Sequence, residues 1–224
     1  MVPLIELSHV EYGYDGVIAL QDISFKINTG ELILLVGPNG CGKSTLFKLL
    51  NGLIFPSKGK YIFDEQEITP QLLKNNSEAK KFHKRIGYVF QNPDAQLFNP
   101  TVYDEIAFGP RQLQFSEAAV NERVESLLDF LQIENLRDRA PYHLSGGEKK
   151  KVSIAAVLAL NPDILMMDEP LNGLDEKARI WIENFITDFS SAGKTMLIAS
   201  HEKELLARQH IKMLKFNEKH QLVL

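Results

Sequence analysis

Gly37-Pro38-Asn39-Gly40-Cys41-Gly42-Lys43-Ser44-Thr45 has the G-x-x-x-x-G-K-[ST] spacing of a phosphate-binding loop. Before it, Leu32-Ile33-Leu34-Leu35-Val36 is a short apolar run bounded by Thr29-Gly30 and by the glycines, which predicts a buried strand. After it, Thr45-Leu46-Phe47-Lys48-Leu49-Leu50 begins a helical pattern that stops at Asn51-Gly52. Strand, glycine loop and helix start therefore stand in the order such a loop needs. Gly37, Gly40 and Gly42 permit backbone conformations closed to other residues, so successive N–H groups can turn inward around a polyphosphate at the positive end of the helix. Lys43 adds a mobile cation for the outer phosphates, and Ser44 an oxygen for Mg²⁺. The expected ligand is a nucleoside triphosphate.

The 224 residues suffice for one substantial core, and 44% hydrophobic with 24% charged residues is ordinary for a globular protein. No apolar run approaches the roughly 18 residues needed to span a bilayer, and Met1-Val2-Pro3-Leu4-Ile5-Glu6 has neither the basic start nor the apolar core of a signal peptide. The expected compartment is the cytoplasm. A net charge of −4 argues against a general nucleic-acid binder. One cysteine, Cys41, excludes internal disulfides and cysteine-based metal clusters.

The partly alternating Leu4 to Tyr12 and the strictly alternating Ile23-Ser24-Phe25-Lys26-Ile27 predict antiparallel strands with one solvated face, with Gly13-Tyr14-Asp15-Gly16 as a turn between them. Tyr14, inside that turn, is either a platform on which adenine stacks or an amphipathic side chain capping a hairpin. Pro56-Ser57-Lys58-Gly59 reads as a turn and Lys60-Tyr61-Ile62-Phe63 as a strand. In the polar stretch 64–85, Lys80, Lys81, Lys84 and Arg85 form either a solvated helix face or a contact for lipid or phosphate. Ile86-Gly87-Tyr88-Val89-Phe90 is a further buried strand, and it delivers Gln91 to the carboxyl edge, where open α/β sheets bind ligands.

Residues 111–160 read as helical, with Val120, Val124, Leu127, Leu128 and Leu131 at three- and four-residue spacing. Leu144-Ser145-Gly146-Gly147-Glu148 then opens another helix with a glycine-bearing N-terminus that attracts anions. Two such helix ends suggest two ligands, or one ligand shared between copies. Ile164-Leu165-Met166-Met167 is an apolar strand stopped by Asp168 and Glu169, whose alternation sends the two carboxylates to different tasks. One can hold hydrated Mg²⁺ while the other deprotonates a water; alternatively both acids cap the next turn. The strand Thr195 to Ser200 leads in the same way to His201, either a hydrogen-bonded structural residue or a sensor of the terminal phosphate.

In order and spacing, Gly37 to Thr45, Gln91, Leu144 to Glu148, Ile164 to Glu169, Leu174-Asp175 and His201 resemble the nucleotide-binding subunit of an ATP-binding-cassette transporter over essentially the whole chain. The Leu-Ser-Gly-Gly element is decisive, because other phosphate-loop families lack it. The resemblance implies an α/β fold: a phosphate-loop core with a mainly parallel sheet, an antiparallel N-terminal β subdomain and a helical signature subdomain. It implies one domain, in which 1–92 and 161–224 form a RecA-like core with the β subdomain, and 93–160 hold the glutamine loop and helices. Tyr14 would stack on adenine, and the loop from Gly37 through Pro38, Asn39, Gly40, Cys41 and Gly42 to Lys43 and Thr45 would hold phosphates. Ser44, Gln91 and Asp168 would bind Mg²⁺, with Glu169 the general base and His201 on the γ-phosphate. Ser145, Gly146 and Gly147 would cover ATP from an opposing subunit, and Asp175 would link the two sites.

Val89 to Val102, with Glu105-Ile106-Ala107-Phe108-Gly109-Pro110 after it, is similar to the energy-coupling-factor branch, importers of vitamins and of cobalt or nickel ions. The implied protein is an ATPase on the cytoplasmic face of the cell membrane, using ATP and Mg²⁺ in a head-to-tail homodimer or a heterodimer with a second such ATPase. Its implied partners are a transmembrane subunit and a separate membrane component that binds the solute; nucleic acid is not among them. Leu97, Phe98, Val102, Ile106 and Phe108 are expected to face the membrane partner, or else to fill a local core. Two features depart from the pattern. Position 148 holds Glu where Gln is usual, which places a carboxylate near the opposing γ-phosphate. The sequence also ends soon after a hairpin of Ile211 to Phe216 and Gln221 to Leu224, where many members of the branch continue. Cys41, in a positive loop, is expected to have a lowered pKa and to react with alkylating agents unless Mg-ATP protects it. The alternative is a non-transport ATPase with the same head. DNA-repair types need a coiled-coil insertion that residues 45–145 do not hold, translation types carry two cassettes, and a small-molecule kinase has no use for the signature.

Overall fold

The computed structural model describes residues 2–201 and 211–223; Met1 and Leu224, the outer ends of stretches named above, lie outside the described residues. The fold is α/β, built on two sheets. The first is four-stranded and antiparallel, in the order β2 (Val17–Ile27), β1 (Ile5–Tyr14), β4 (Lys58–Phe63), β5 (Gln66–Glu67). The second is six-stranded, in the order β10 (Leu222–Val223), β9 (Lys212–Phe216), β3 (Leu32–Val36), β8 (Thr195–Ala199), β7 (Ile164–Asp168), β6 (Ile86–Val89), and all of its pairs except β10–β9 are parallel.

The parallel strands read as unbroken apolar runs because the sheet is covered on both faces. Leu32, Leu34 and Val36 of β3 point with Leu165 and Met167 into a core shared with α4 (Val102–Gln112), α5 (Glu117–Leu131), α6 (Gly146–Leu158) and α7 (Glu176–Ser191). Ile33 and Leu35 point with Ile164 and Met166 to the other face. There the core takes in α1 (Lys43–Leu50), Phe82 of α3 (Asn76–Arg85) and the antiparallel sheet. The short helix α2 (Pro70–Lys74) lies between β5 and α3.

Several expectations are corrected by the backbone. The first hairpin turns at Asp15-Gly16 alone, both with positive φ as a mirror-image two-residue turn requires, so Tyr14 is the last residue of β1 and pairs with Val17. β2 begins six residues before Ile23, at exposed Val17 and Ile18, and register shifts along β1 hide the strand period. β4 starts within the expected turn, at Lys58, because Gly59 forms an irregularity against Ser8 and His9 that no side chain could fill. Helical structure begins at Val102 rather than 111, with Thr101 capping α4 by accepting from the Asp104 N–H. The basic residues Lys80, Lys81 and Lys84 lie exposed on α3, whereas Arg85 bridges Asp64 and Asp163.

Candidate active site

Parallel pairing puts the carboxyl ends of β3, β6, β7 and β8 on one edge, where the strand order leaves a crevice. A cleft of about 280 Å³ opens there. The phosphate loop lines it with Asn39, Gly40, Gly42, Lys43, Ser44 and Thr45. Gln91 comes from the end of β6, Asp168 and Glu169 from β7, His201 from β8, and Asn172 from the turn after Glu169.

Gly40 (φ 79°) and Gly42 (φ 112°, the N-cap of α1) occupy the left-handed region, as expected of a loop whose N–H groups turn inward. Gly37 does not; its constraint is space, since a Cβ there would meet the Phe216 Cβ at 2.7 Å and Cys41 Sγ at 2.8 Å. The Lys43 ammonium donates to the carbonyls of Gly37 (2.8 Å) and Pro38 (3.3 Å) and lies 3.9 Å from Glu169 Oε1. Ser44 Oγ donates to Asp168 Oδ2 at 3.0 Å, and the Tyr88 hydroxyl reaches the same oxygen at 3.4 Å. Burial raises the Asp168 pKa, opposed chiefly by the Ser44 hydrogen bond, and burial together with Asp168 pushes the Tyr88 hydroxyl well above its ordinary range.

Strict alternation would have sent Asp168 and Glu169 to opposite faces. Instead Glu169 leaves the strand with φ 44°, costly for a residue with a side chain, and both carboxylates enter one cleft with different partners. Glu169 Oε2 sits 2.9 Å from His201 Nδ1, while its N–H donates to the Ala199 carbonyl. Asp168 faces two hydroxyls, those of Ser44 and Tyr88; Glu169 faces an imidazole and an ammonium.

Ser44 Oγ, Asp168 and Gln91 offer hard oxygen donors to the same space. Among the described residues no group of three or more His, Cys, Asp or Glu is placed to hold a metal ion. This donor set fits a cation that keeps water and phosphate oxygens in its shell, as Mg²⁺ does.

The remaining residues lie elsewhere in the single chain. Tyr14 is exposed beside α1, with Lys48 Nζ 5.9 Å from its ring centroid. Cys41 corrects an expectation: its side chain is buried in the core beneath the loop, and burial raises the thiol pKa, outweighing the opposite pull of Lys43. Ser145 and Gly146 are exposed at the start of α6, away from the cleft of their own chain. A Cβ on Gly147 would fall 2.7 Å from Ala178 Cβ, so the signature packs against the start of α7, which Asp175 caps by accepting from the Ala178 N–H. Glu148 completes a capping box: Ser145 Oγ accepts from the Glu148 N–H, and Glu148 Oε2 accepts from the Ser145 N–H at 2.8 Å.

Three participants were not picked out from the sequence. Asn172 and Tyr88 sit in ordinary turn and strand contexts. Lys150, within a run of three lysines, is 1% exposed and donates to the Phe90 and Gln91 carbonyls.

A second concavity of about 550 Å³ lies between α3, α4 and α6, lined chiefly by apolar groups that include Leu53, Phe90, Phe98, Phe108 and Leu113. Of the five apolar residues expected at an interface, Val102 and Ile106 are instead fully buried core and Leu97 packs against it; Phe98 and Phe108 are exposed and meet edge-on at 5.0 Å.

A family profile described as ABC transporter matches residues 20–172. The chain is 47% identical to the nickel import ATP-binding protein LarO of Lactiplantibacillus plantarum, over 98% of this chain and 91% of that protein. It is 43% identical to the energy-coupling factor transporter ATP-binding protein EcfA of Methanothermobacter thermautotrophicus, over 92% of this chain and 65% of that one. Its structure is similar to that of cbiO1 from Clostridium perfringens, part of the ABC transporter complex cbiONQ, with a TM-score of 0.88 at 34% identity, covering 100% of this chain and 88% of the other.

Proposed function

This chain belongs to the ABC transporter family as an ATP-binding ATPase, and from that premise we propose that it drives an energy-coupling-factor importer of metal ions or vitamins. The observation that carries the chemical part is the convergence of Lys43, Glu169 and His201 on one cleft beside Ser44 and Asp168. In this reading the loop N–H groups and Lys43 hold the phosphates of ATP, and Tyr14 takes the adenine. Ser44, Gln91 and Asp168 hold Mg²⁺, which supplies charge neutralisation along the phosphates. Glu169 accepts the proton of the attacking water, and His201 keeps that carboxylate aimed and meets the γ-phosphate. Residues 1–92 and 161–224 together make the RecA-like core with its antiparallel β subdomain, and 93–160 the glutamine loop and helical subdomain of the same domain. Two chains close head to tail, so that Ser145, Gly146 and Gly147 of one cover the ATP of the other, with Asp175 between them.

No helix among the described residues is long and apolar enough to cross a membrane. In this reading, which rests on the likeness to ATP-binding subunits of transporters, the chain works from the membrane's cytoplasmic face through a transmembrane partner. The apolar groove under Phe98 and Phe108 suits a helical segment of that partner. Purification of the tagged chain from native membranes tests the reading. A transmembrane subunit should accompany it, and deletion of the gene should abolish uptake of one metal ion or vitamin. Recovery with ribosomes or DNA, and no membrane protein, would overturn it.

A further inference from the structure

Two side chains in the first half of α6, those of Lys149 and Lys150, turn toward the loop that follows β6. Lys150 Nζ donates to the carbonyls of Phe90 (2.9 Å) and Gln91 (3.0 Å). Gln96 bridges the same two elements, accepting from the Phe90 N–H at 3.1 Å and donating to the Ser153 carbonyl at 3.0 Å. Lys149 Nζ reaches Asp94 at 2.7 Å. The main chain is thus pinned from one helix, at both polar groups of Phe90 and at the carbonyl of Gln91. The Gln91 side chain remains exposed to the cleft.

A lysine at this depth is costly. Desolvation draws its pKa down to about 8 even though Asp168 pulls the other way. A cation shared by two main-chain carbonyls makes stronger hydrogen bonds than a neutral donor would. The same helix carries Ser145 at its N-terminus, about one and a half turns before Lys150.

We propose that Lys150 is a positioning residue: it holds the Gln91 main chain so that the side chain reaches the Mg²⁺ site, and it locks that placement to α6, whose first residues face the opposing subunit. This rests on the reading of Gln91 as a metal ligand.

The test uses the full chain and equilibrium binding of a fluorescent, non-hydrolysable ATP analogue, titrated with Mg²⁺ or held in EDTA, alongside the Mg²⁺ dependence of ATP turnover. Lys150→Met keeps the length and removes the donors. Its Mg²⁺-free affinity should stay within about twofold of wild type, while the Mg²⁺ concentration for half-maximal effect rises about tenfold, the scale expected for lost charge-assisted bonds. Lys150→Arg, which restores a cation with several donors, should return the requirement to within about threefold. A packing role alone would not separate Mg²⁺ dependence from nucleotide affinity. If Lys150→Met lacks a cooperative unfolding transition, Lys150→Gln replaces it, with an expected rise of about threefold from the one bond it can keep. Gln91→Ala serves as the reference. An altered Mg²⁺ requirement in Gln91→Ala with none in the Lys150 variants overturns the role of Lys150. An unchanged requirement in Gln91→Ala overturns the reading of Gln91 and the proposal with it.

Discussion

His201 Nδ1 stands 2.9 Å from Glu169 Oε2, on a carboxylate that is itself nine-tenths buried. The imidazole fixes the direction of a side chain whose backbone has already left the strand. Glu169→Gln keeps that size and a hydrogen bond to His201 but removes the base. Turnover should fall by about 10² or more with ATP binding kept within about threefold, and the closed dimer should accumulate. Steady-state rates and nucleotide titrations check this; turnover within about threefold of wild type would sink the role of Glu169.

Phe98 and Ile106 should separate interface from core. Phe98 is 68% exposed, so Phe98→Ala should shift the melting temperature by no more than about 2 °C and spare ATP hydrolysis by the isolated chain. In the reconstituted transporter the same variant should hydrolyse ATP without transport. Ile106 is fully buried, and Ile106→Ala should cost about 2–5 kcal/mol of stability. Equal destabilisation by both would mean that Phe98 belongs to the core.

Glu148 has a structural task that its place in the signature does not announce. Glu148→Gln retains the capping-box geometry and should melt within about 2 °C of wild type, whereas Glu148→Ala frees the Ser145 N–H and should melt lower. The Ser145 N–H lowers the Glu148 pKa, so this contribution is present above the ordinary glutamate pKa and is lost as pH falls through the folded value. The gap in melting temperature between wild type and Glu148→Ala should therefore close in acid. A gap independent of pH would assign the effect to packing.

Cys41, sealed in the core with a raised pKa, should be alkylated slowly in the native protein whether or not Mg-ATP is present. Unfolding in urea should accelerate labelling by more than about tenfold. Cys41→Ser would bury a hydroxyl and should be less stable than Cys41→Ala, with a difference of about 1 kcal/mol or more if no partner is found. Adduct mass against time reads the first comparison and urea melts the second. Rapid native labelling that ATP blocks would return the thiol to the nucleotide site.

What could be read directly from the sequence was whatever burial on two faces imposes. Leu32 to Val36, Ile164 to Met167 and Thr195 to Ala199 are apolar without interruption because helices and a second sheet cover both sides of them. Their ends locate Lys43, Asp168, Glu169 and His201. The start of β2 was hidden because Val17 and Ile18 are exposed and the neighbouring register slips. Cys41 misled because a loop's charge was weighed without its depth, and nothing in a row of three lysines tells which of them is buried. Neither depth nor slippage leaves a period to read.

The contact of Gly37 with Phe216 bears on the order in which the chain is made. β3 is flanked by β8 and β9, so the phosphate loop emerges from the ribosome well before the strand it rests on. Nascent chains stalled before Lys212 should not cross-link a photoreactive ATP analogue, and chains extended through Val223 should. Equal cross-linking before and after β9 would show that the loop stands unaided. In the expected case ATP cannot engage an unfinished chain, and translation itself times the first nucleotide encounter.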